Sequence, residues 1–129
     1  MATAIDTPQP RLHVRFPRVL RPADYAVGIV AFAVSLVVYA RTLAPTVYGE
    51  DCGELIAAAD TLGIPHPTGY PLWCILAKII MTAVYAGDAA WRANLLSALC
   101  GSAAAMCTAL IVCVTVEDRI AALAGALAL

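Results

Sequence analysis

Two stretches of the chain stay apolar long enough to cross a bilayer, whose ~30 Å hydrocarbon core takes about 20 helical residues. The first is YAVGIVAFAVSLVVYARTLA, residues 25–44. Its one charge, Arg41, lies near enough to the end to snorkel toward the headgroups, and Pro45 stops the helix. With its entry turn this span covers residues 23–44. The second span covers 89–116 and carries no charge from residue 93 onward. A third apolar stretch, 120–129, is too short to span and reads as the start of a third transmembrane helix. The chain therefore reads as the N-terminal part of a longer protein.

Between the spans, residues 45–88 alternate polar and apolar blocks. Glu50-Asp51-Cys52-Gly53-Glu54 leads into a helical patch over 55–62. A proline-rich turn follows, Gly63-Ile64-Pro65-His66-Pro67-Thr68-Gly69-Tyr70-Pro71, and then a second apolar helix over 72–85 interrupted by Lys78. That helix is too short to span and fits an interfacial segment. Asp88 is placed to accept hydrogen bonds from the free N–H groups opening the second span. Irregular backbone beside a membrane persists where it is buried in protein or lines a wet cavity, so a cavity is expected beside this loop. In the second span Ser97, Gly101, Ala105 and Ala109 recur every four residues, a stripe that lets helices approach closely in lipid. The fold expected is all-α and polytopic, with two transmembrane helices, two interfacial helices in the loop and the start of a third span. No strand pattern is present.

Composition supports the membrane assignment. Of 129 residues, 62% are hydrophobic and 13% charged, and the mean hydropathy is +0.83. Soluble domains average about 45–50% apolar and 25% charged. Disorder is excluded across the spans, and a net charge of −1 with a pI near 6.0 leaves no footprint for nucleic acid. Charge also sets orientation. Residues 1–22, a basic tail expected to be disordered, carry Arg11, Arg15, Arg18 and Arg21 against Asp6, whereas 45–60 carry only Glu50, Asp51, Glu54 and Asp60. The positive-inside rule then puts the N-terminus in the cytoplasm, the 45–88 loop outside it and the hairpin 117–119 back in the cytoplasm. Five cysteines, an odd number without a C-x-x-C pair, imply no complete disulfide framework, although Cys52 and Cys74 are a conceivable pair outside the cytosol.

Several loop residues carry candidate chemistry. Asp51-x-x-Glu54 is the pattern of a capping box, in which Glu54 bonds back to the Asp51 N–H. Asp51 also suits a general base, with Glu50 as the alternative. His66, stiffened between two prolines, either ties down the turn or donates to a substrate. A metal is not expected, because it needs more ligands than His66, Asp51 and Glu54 are expected to bring together. Arg92 in the first turn of the second span is placed to bind an anion, or to snorkel beside Trp91 at the headgroup level.

Three segments, TLAPTVYGEDCGEL (42–55), LGIPHPTGYPLW (62–73) and WRANLLSAL (91–99), resemble in order and spacing the N-terminal region of a polytopic membrane family. That family has bacterial members of unknown function and an endoplasmic-reticulum protein O-mannosyltransferase as its animal relative. More widely it is similar to the GT-C glycosyltransferases. The resemblance implies sugar transfer, mannose among the candidates, from a polyprenyl-phosphate carrier to an extracytoplasmic acceptor hydroxyl on a protein or glycan. It implies Asp51 as the catalytic carboxylate, Glu54 and His66 in support, Arg92 on the carrier phosphate, and no cofactor. Where relatives carry a Lys-Pro-Pro stretch this chain has Tyr70-Pro71-Leu72, without the lysine. The alternative is a non-enzymatic protein that binds polyprenyl or anionic lipid. A channel is disfavoured because the spans carry no buried ionisable residue along an obvious pathway. The alanine- and arginine-rich composition points to a bacterial plasma membrane, and the stretch is too short to enclose a donor–acceptor cavity alone.

Overall fold

The computed structural model describes residues 18–129, and the tail up to residue 17 lies outside them. Every regular element is helical: α1 (Pro22–Thr42), α2 (Cys52–Thr61), α3 (Pro71–Ala83), α4 (Ala89–Thr115) and α5 (Arg119–Leu127). Helices α1 and α4 are long and apolar enough to cross a membrane. They cover the two expected spans, and α2 and α3 lie in the loop between them. Proline opens both α1 and α3, where its fixed φ suits the first turn and its missing N–H costs nothing. Asp88 caps α4 as expected, its Oδ1 accepting from the Trp91 N–H at 2.7 Å. Asp118 does the same for α5, accepting from Ile120 and Ala121.

Helix α4 is the spine, and two separate cores are built on it. At the hairpin end Ala31 of α1, Ala109 of α4 and Ala126 of α5 meet, with Val27 and Leu123 against them. At the loop end Ile56, Ala58 and Ala59 of α2 and Cys74, Ala77 and Met81 of α3 pack on Ala90, Ala93 and Leu96. Small residues dominate both, because in lipid close backbone approach replaces the hydrophobic drive available in water. The expected stripe divides accordingly. Ala105 and Ala109 are buried, Gly101 lies under the Tyr39 ring, and Ser97 is exposed beside a cleft. A complementary stripe on α1, Asp24, Gly28, Ala31 and Ser35, is buried, while Ile29, Val30, Val34, Val37 and Val38 face outward as lipid-contacting residues do.

Gly28 is one of the places where α1 lies close against α4. A Cβ there would lie 3.2 Å from Leu110 Cδ2 and 3.3 Å from Met106 Cγ. Gly28→Leu is expected to destabilise the protein by about 1–3 kcal/mol through overpacking. Gly125→Ala, where a Cβ meets nothing within 4 Å, should be neutral. Thermal melts of the two variants in detergent check this; equal melts would mean that α1 and α4 do not pack there.

Arg18 belongs to the tail expected to be disordered over residues 1–22, of which 18–22 are described. That side chain donates through Nε and Nη2 to the Cys113 carbonyl at 3.0 and 2.9 Å, and through Nη2 to Asp24 at 3.2 Å. The residues just before α1 are thus held against the end of α4. All five cysteines are free, so Cys52 and Cys74 do not pair.

Candidate functional site

The acidic loop enters α2 through two successive left-handed residues, Gly49 (φ 54°) and Glu50 (φ 45°). Asp51 then occupies the N-cap of α2 at φ −80°, ψ 0°, and its side chain makes no capping hydrogen bond. N-cap side chains reach back to the first turn from an extended backbone, which Asp51 does not have. Its carboxylate is exposed, and Oδ1 has no hydrogen-bond partner among the described residues.

Glu54 corrects the capping-box reading. Both of its oxygens are taken by one residue twelve positions away. Oε1 accepts from the His66 backbone N–H at 2.7 Å, and Oε2 meets His66 Nδ1 at 3.0 Å. A rigid turn brings His66 there: Leu62 adopts the left-handed conformation that ends α2, and the Gly63 N–H bonds to the Ala58 carbonyl at 2.8 Å. The turn closes through a Gly69 N–H to His66 carbonyl bond of 2.9 Å, and Tyr70 lies edge-on to the imidazole at a centroid distance of 5.6 Å.

Nδ1–H donates to the carboxylate, and in the neutral ring Nε2 carries the lone pair. Nε2 faces Asp51 Oδ2 at 3.7 Å, beyond hydrogen-bond length. The hydrogen bond from the imidazole, reinforced by that from the His66 backbone N–H, holds the Glu54 carboxyl below the ordinary glutamate range. One ligand atom from each of Asp51, Glu54 and His66 lies within 4.8 Å of the others.

Arg92 sits away from this cluster. Its Nη1 donates to the carbonyls of Met81 and Val84 at 2.8 and 3.3 Å, and Nε to that of Asp88 at 3.2 Å. The guanidinium thereby satisfies carbonyls left open at the end of α3 and clamps that end onto α4. Only Nη2 is uncommitted among the described residues. Lys78 ties α3 to α2 rather than snorkelling, with Nζ 2.9 Å from Asp60 Oδ1. Sequence reasoning paired neither residue, since each partner lies outside its own helix.

Beside the cluster a cleft of about 420 Å³ opens between the end of α1 and the start of α4. Tyr39, Thr42, Tyr48, Cys52, Asn94 and Ser97 line it, so its rim begins one residue after Asp51. The Asn94 amide donates to the Ala44 carbonyl at 3.3 Å and fixes the strap that leads from α1 to the acidic loop. The cavity expected beside the loop is therefore present.

Sequence reasoning passed over Asp24. It is fully buried at the hairpin end, where Oδ1 meets Arg119 Nε at 2.9 Å and Arg18 Nη2 at 3.2 Å. Oδ2 accepts from the Arg21 N–H at 2.9 Å. The available signal was an aspartate in the first turn of an apolar span, three residues after an arginine.

These features define a helical membrane protein whose first inter-span loop folds into a carboxylate–imidazole cluster over a cleft. Residues 51–127 match the family described as the Protein O-mannosyl-transferase TMEM260 N-terminal domain. The chain belongs to that family. It is 44% identical over 78 residues, 60% of its length, to the mouse protein named Protein O-mannosyl-transferase TMEM260. It is 32% identical over 91 residues, 69% of its length, to the Dictyostelium discoideum protein of the same name. The matched part spans 11% of each of these relatives. No solved structure matches the chain.

Proposed function

We propose that this chain forms the N-terminal part of an integral-membrane glycosyltransferase that moves a sugar, mannose by analogy with the names of its relatives, from a polyprenyl-phosphate carrier to an acceptor hydroxyl. The carrying observation is the exposed carboxylate of Asp51, free of any capping duty and next in the chain to Cys52, which lines the cleft between the two spans. The basic tail and acidic loop orient the protein with its N-terminus in the cytoplasm and the 45–88 loop outside it.

In this reading an Asp51 oxygen takes the proton of the acceptor hydroxyl as that oxygen attacks the anomeric carbon. The new C–O bond forms as the bond from the anomeric carbon to the phosphate oxygen breaks, and polyprenyl phosphate leaves with the electron pair. Attack opposite the leaving group inverts the anomeric centre. Glu54 and His66 are positioning residues that hold the loop against Asp51. Arg92, most of whose donors are committed to carbonyls at the end of α3, offers Nη2 to a phosphate of the carrier.

The test uses the complete protein in nanodiscs, supplied with polyprenyl-phosphate mannose carrying a radiolabel and a serine- and threonine-containing peptide. Label on the peptide with release of polyprenyl phosphate is expected. Carrier bound but never consumed would replace this reading with lipid binding alone, which the largely apolar cleft would also serve.

A further inference from the structure

We propose that His66 Nε2 is the seat to which Asp51 passes the proton it takes from the acceptor hydroxyl, so that the two side chains act as one base. The proposal deepens the transferase reading and rests on it.

Three observations carry it. Glu54 Oε2 accepts from Nδ1–H at 3.0 Å, so in the neutral ring the lone pair is on Nε2. Nε2 in turn faces Asp51 Oδ2 at 3.7 Å. Two acceptors with no hydrogen between them stand apart at such a distance, and one proton between them closes it to a charge-assisted hydrogen bond. The third observation is freedom of movement. The Asp51 side chain is exposed and makes no hydrogen bond among the described residues, so its carboxyl turns about Cβ–Cγ toward the ring without breaking one. His66 by contrast is fixed: its backbone N–H donates to Glu54 Oε1 at 2.7 Å, and prolines flank it on both sides.

The reaction has a proton to dispose of. A sugar phosphodiester carries one negative charge, and the phosphomonoester that leaves carries nearly two at neutral pH, so each transfer sets a proton free. As the acceptor oxygen bonds to the anomeric carbon, its proton passes to Asp51, and polyprenyl phosphate leaves with the electron pair of the broken bond. The Asp51 carboxyl gives the proton to Nε2 and is a carboxylate again. The imidazolium then lies between two carboxylates, Glu54 at Nδ1 and Asp51 at Nε2, and becomes neutral by releasing the Nε2 proton to water. An imidazole holds a proton about 2–3 pH units more firmly than a carboxylate. The pair is therefore a stronger base than a lone carboxylate and nearer the neutral range in which general bases work best.

The same seat makes transfer sensitive to acid. Imidazoles charge between about pH 5 and 8; once Nε2 is protonated it donates to Asp51, and the base is occupied before the acceptor arrives. The groups that face the ring are Glu54 and Asp51 from α2 and Tyr70 from its own turn. Helices α3 and α4 bring no ion pair to it among the described residues, Lys78 being held by Asp60 and Arg92 by backbone carbonyls. Glu54 stays ionised throughout that range, because the bonds from the His66 ring and backbone N–H hold its carboxyl below the ordinary glutamate range.

The experiment measures kcat and KM for label transfer to the peptide by the complete protein in nanodiscs, from about pH 5 to pH 9. Wild-type kcat should fall on acidification through the imidazole range. In His66→Gln, kcat near pH 8 should drop at least about 10-fold with KM little changed, and the acid limb should move down toward the carboxylate range. That variant keeps the backbone N–H bonded to Glu54, so the turn retains one of its two ties. Glu54→Gln is the second variant, decisive if His66→Gln fails to fold. Its amide oxygen accepts from the backbone N–H, its NH₂ faces Nδ1, and the ring proton moves to Nε2. It should reproduce the His66→Gln kinetics, with ¹⁵N spectra of the histidine-labelled protein showing that move. Coincident acid limbs in wild type and His66→Gln, or a wild-type profile flat down to about pH 5, overturn the seat and leave the transferase standing. A neutral wild-type ring protonated on Nε2 overturns it without reference to activity. No transfer at any pH by a protein whose ring carries Nδ1–H removes the transferase reading, and the seat with it.

Discussion

Asp51→Asn is expected to lower sugar transfer by the complete protein by roughly 10²–10⁴-fold, the range supplied by a positioned general base. A hydroxyl is a poor nucleophile until its proton has somewhere to go, and an amide cannot take it. What makes the experiment clean is the local structure. Among the described residues the Asp51 side chain caps nothing and makes no hydrogen bond, and its only close ionic contact is the 3.7 Å approach to His66. Melting temperature and membrane insertion should therefore match wild type while transfer is lost. Initial rates of label transfer, measured beside the thermal melts, decide it. Transfer within a few-fold of wild type would remove Asp51 as the base and shift attention to Glu50, the adjacent carboxylate.

The second large effect is expected at the opposite end of the molecule. Asp24 is buried and gathers Arg18, Arg119 and the Arg21 N–H around one carboxylate. Arg18 in turn holds the Cys113 carbonyl, so α1, α4 and α5 are joined through a single side chain. Removing one member of a buried ionic network strands the others without their counter-charge. Asp24→Asn keeps the size but replaces one acceptor with a donor that faces guanidinium groups. The folded yield should drop severalfold and the apparent melting temperature by about 10 °C. Transfer per folded molecule should be preserved, because the Asp51 cluster belongs to the other core. An unchanged melt would mean that lipid headgroups replace the carboxylate as partners of the arginines.

The contrast between these two aspartates shows what the sequence could and could not disclose. The spans were legible because about 20 apolar residues in a row have few destinations. The helices of the loop and the Asp88 cap were legible because their signals are local. Glu54 was misjudged for the same reason in reverse. The Asp51-x-x-Glu54 spacing favours a local bond, yet His66, twelve residues away, offers both a backbone N–H and a ring nitrogen and takes both oxygens. A rigid proline turn decides that competition, and its trajectory is not encoded in spacing. The partners of Arg92 and Asp24 were hidden for the same reason. Their partners are the end of another helix or the residues before the first one, and position along the chain does not reveal which ends meet.

The unequal lengths of the two spans set the height at which any chemistry takes place. Helix α4 has 27 residues against 21 for α1. The Ala44 strap meets α4 at Asn94, so residues 89–93 rise beyond the end of α1 by about 7 Å at 1.5 Å per residue. Helices α2 and α3 lean on this projecting turn, as a balcony leans on a wall that continues past the floor. Asp51 opens the α2 helix that rests on this turn. In the proposed transferase an acceptor hydroxyl would have to reach a site seated on that turn, which an extended or membrane-tethered segment does more easily than a bulky globular domain.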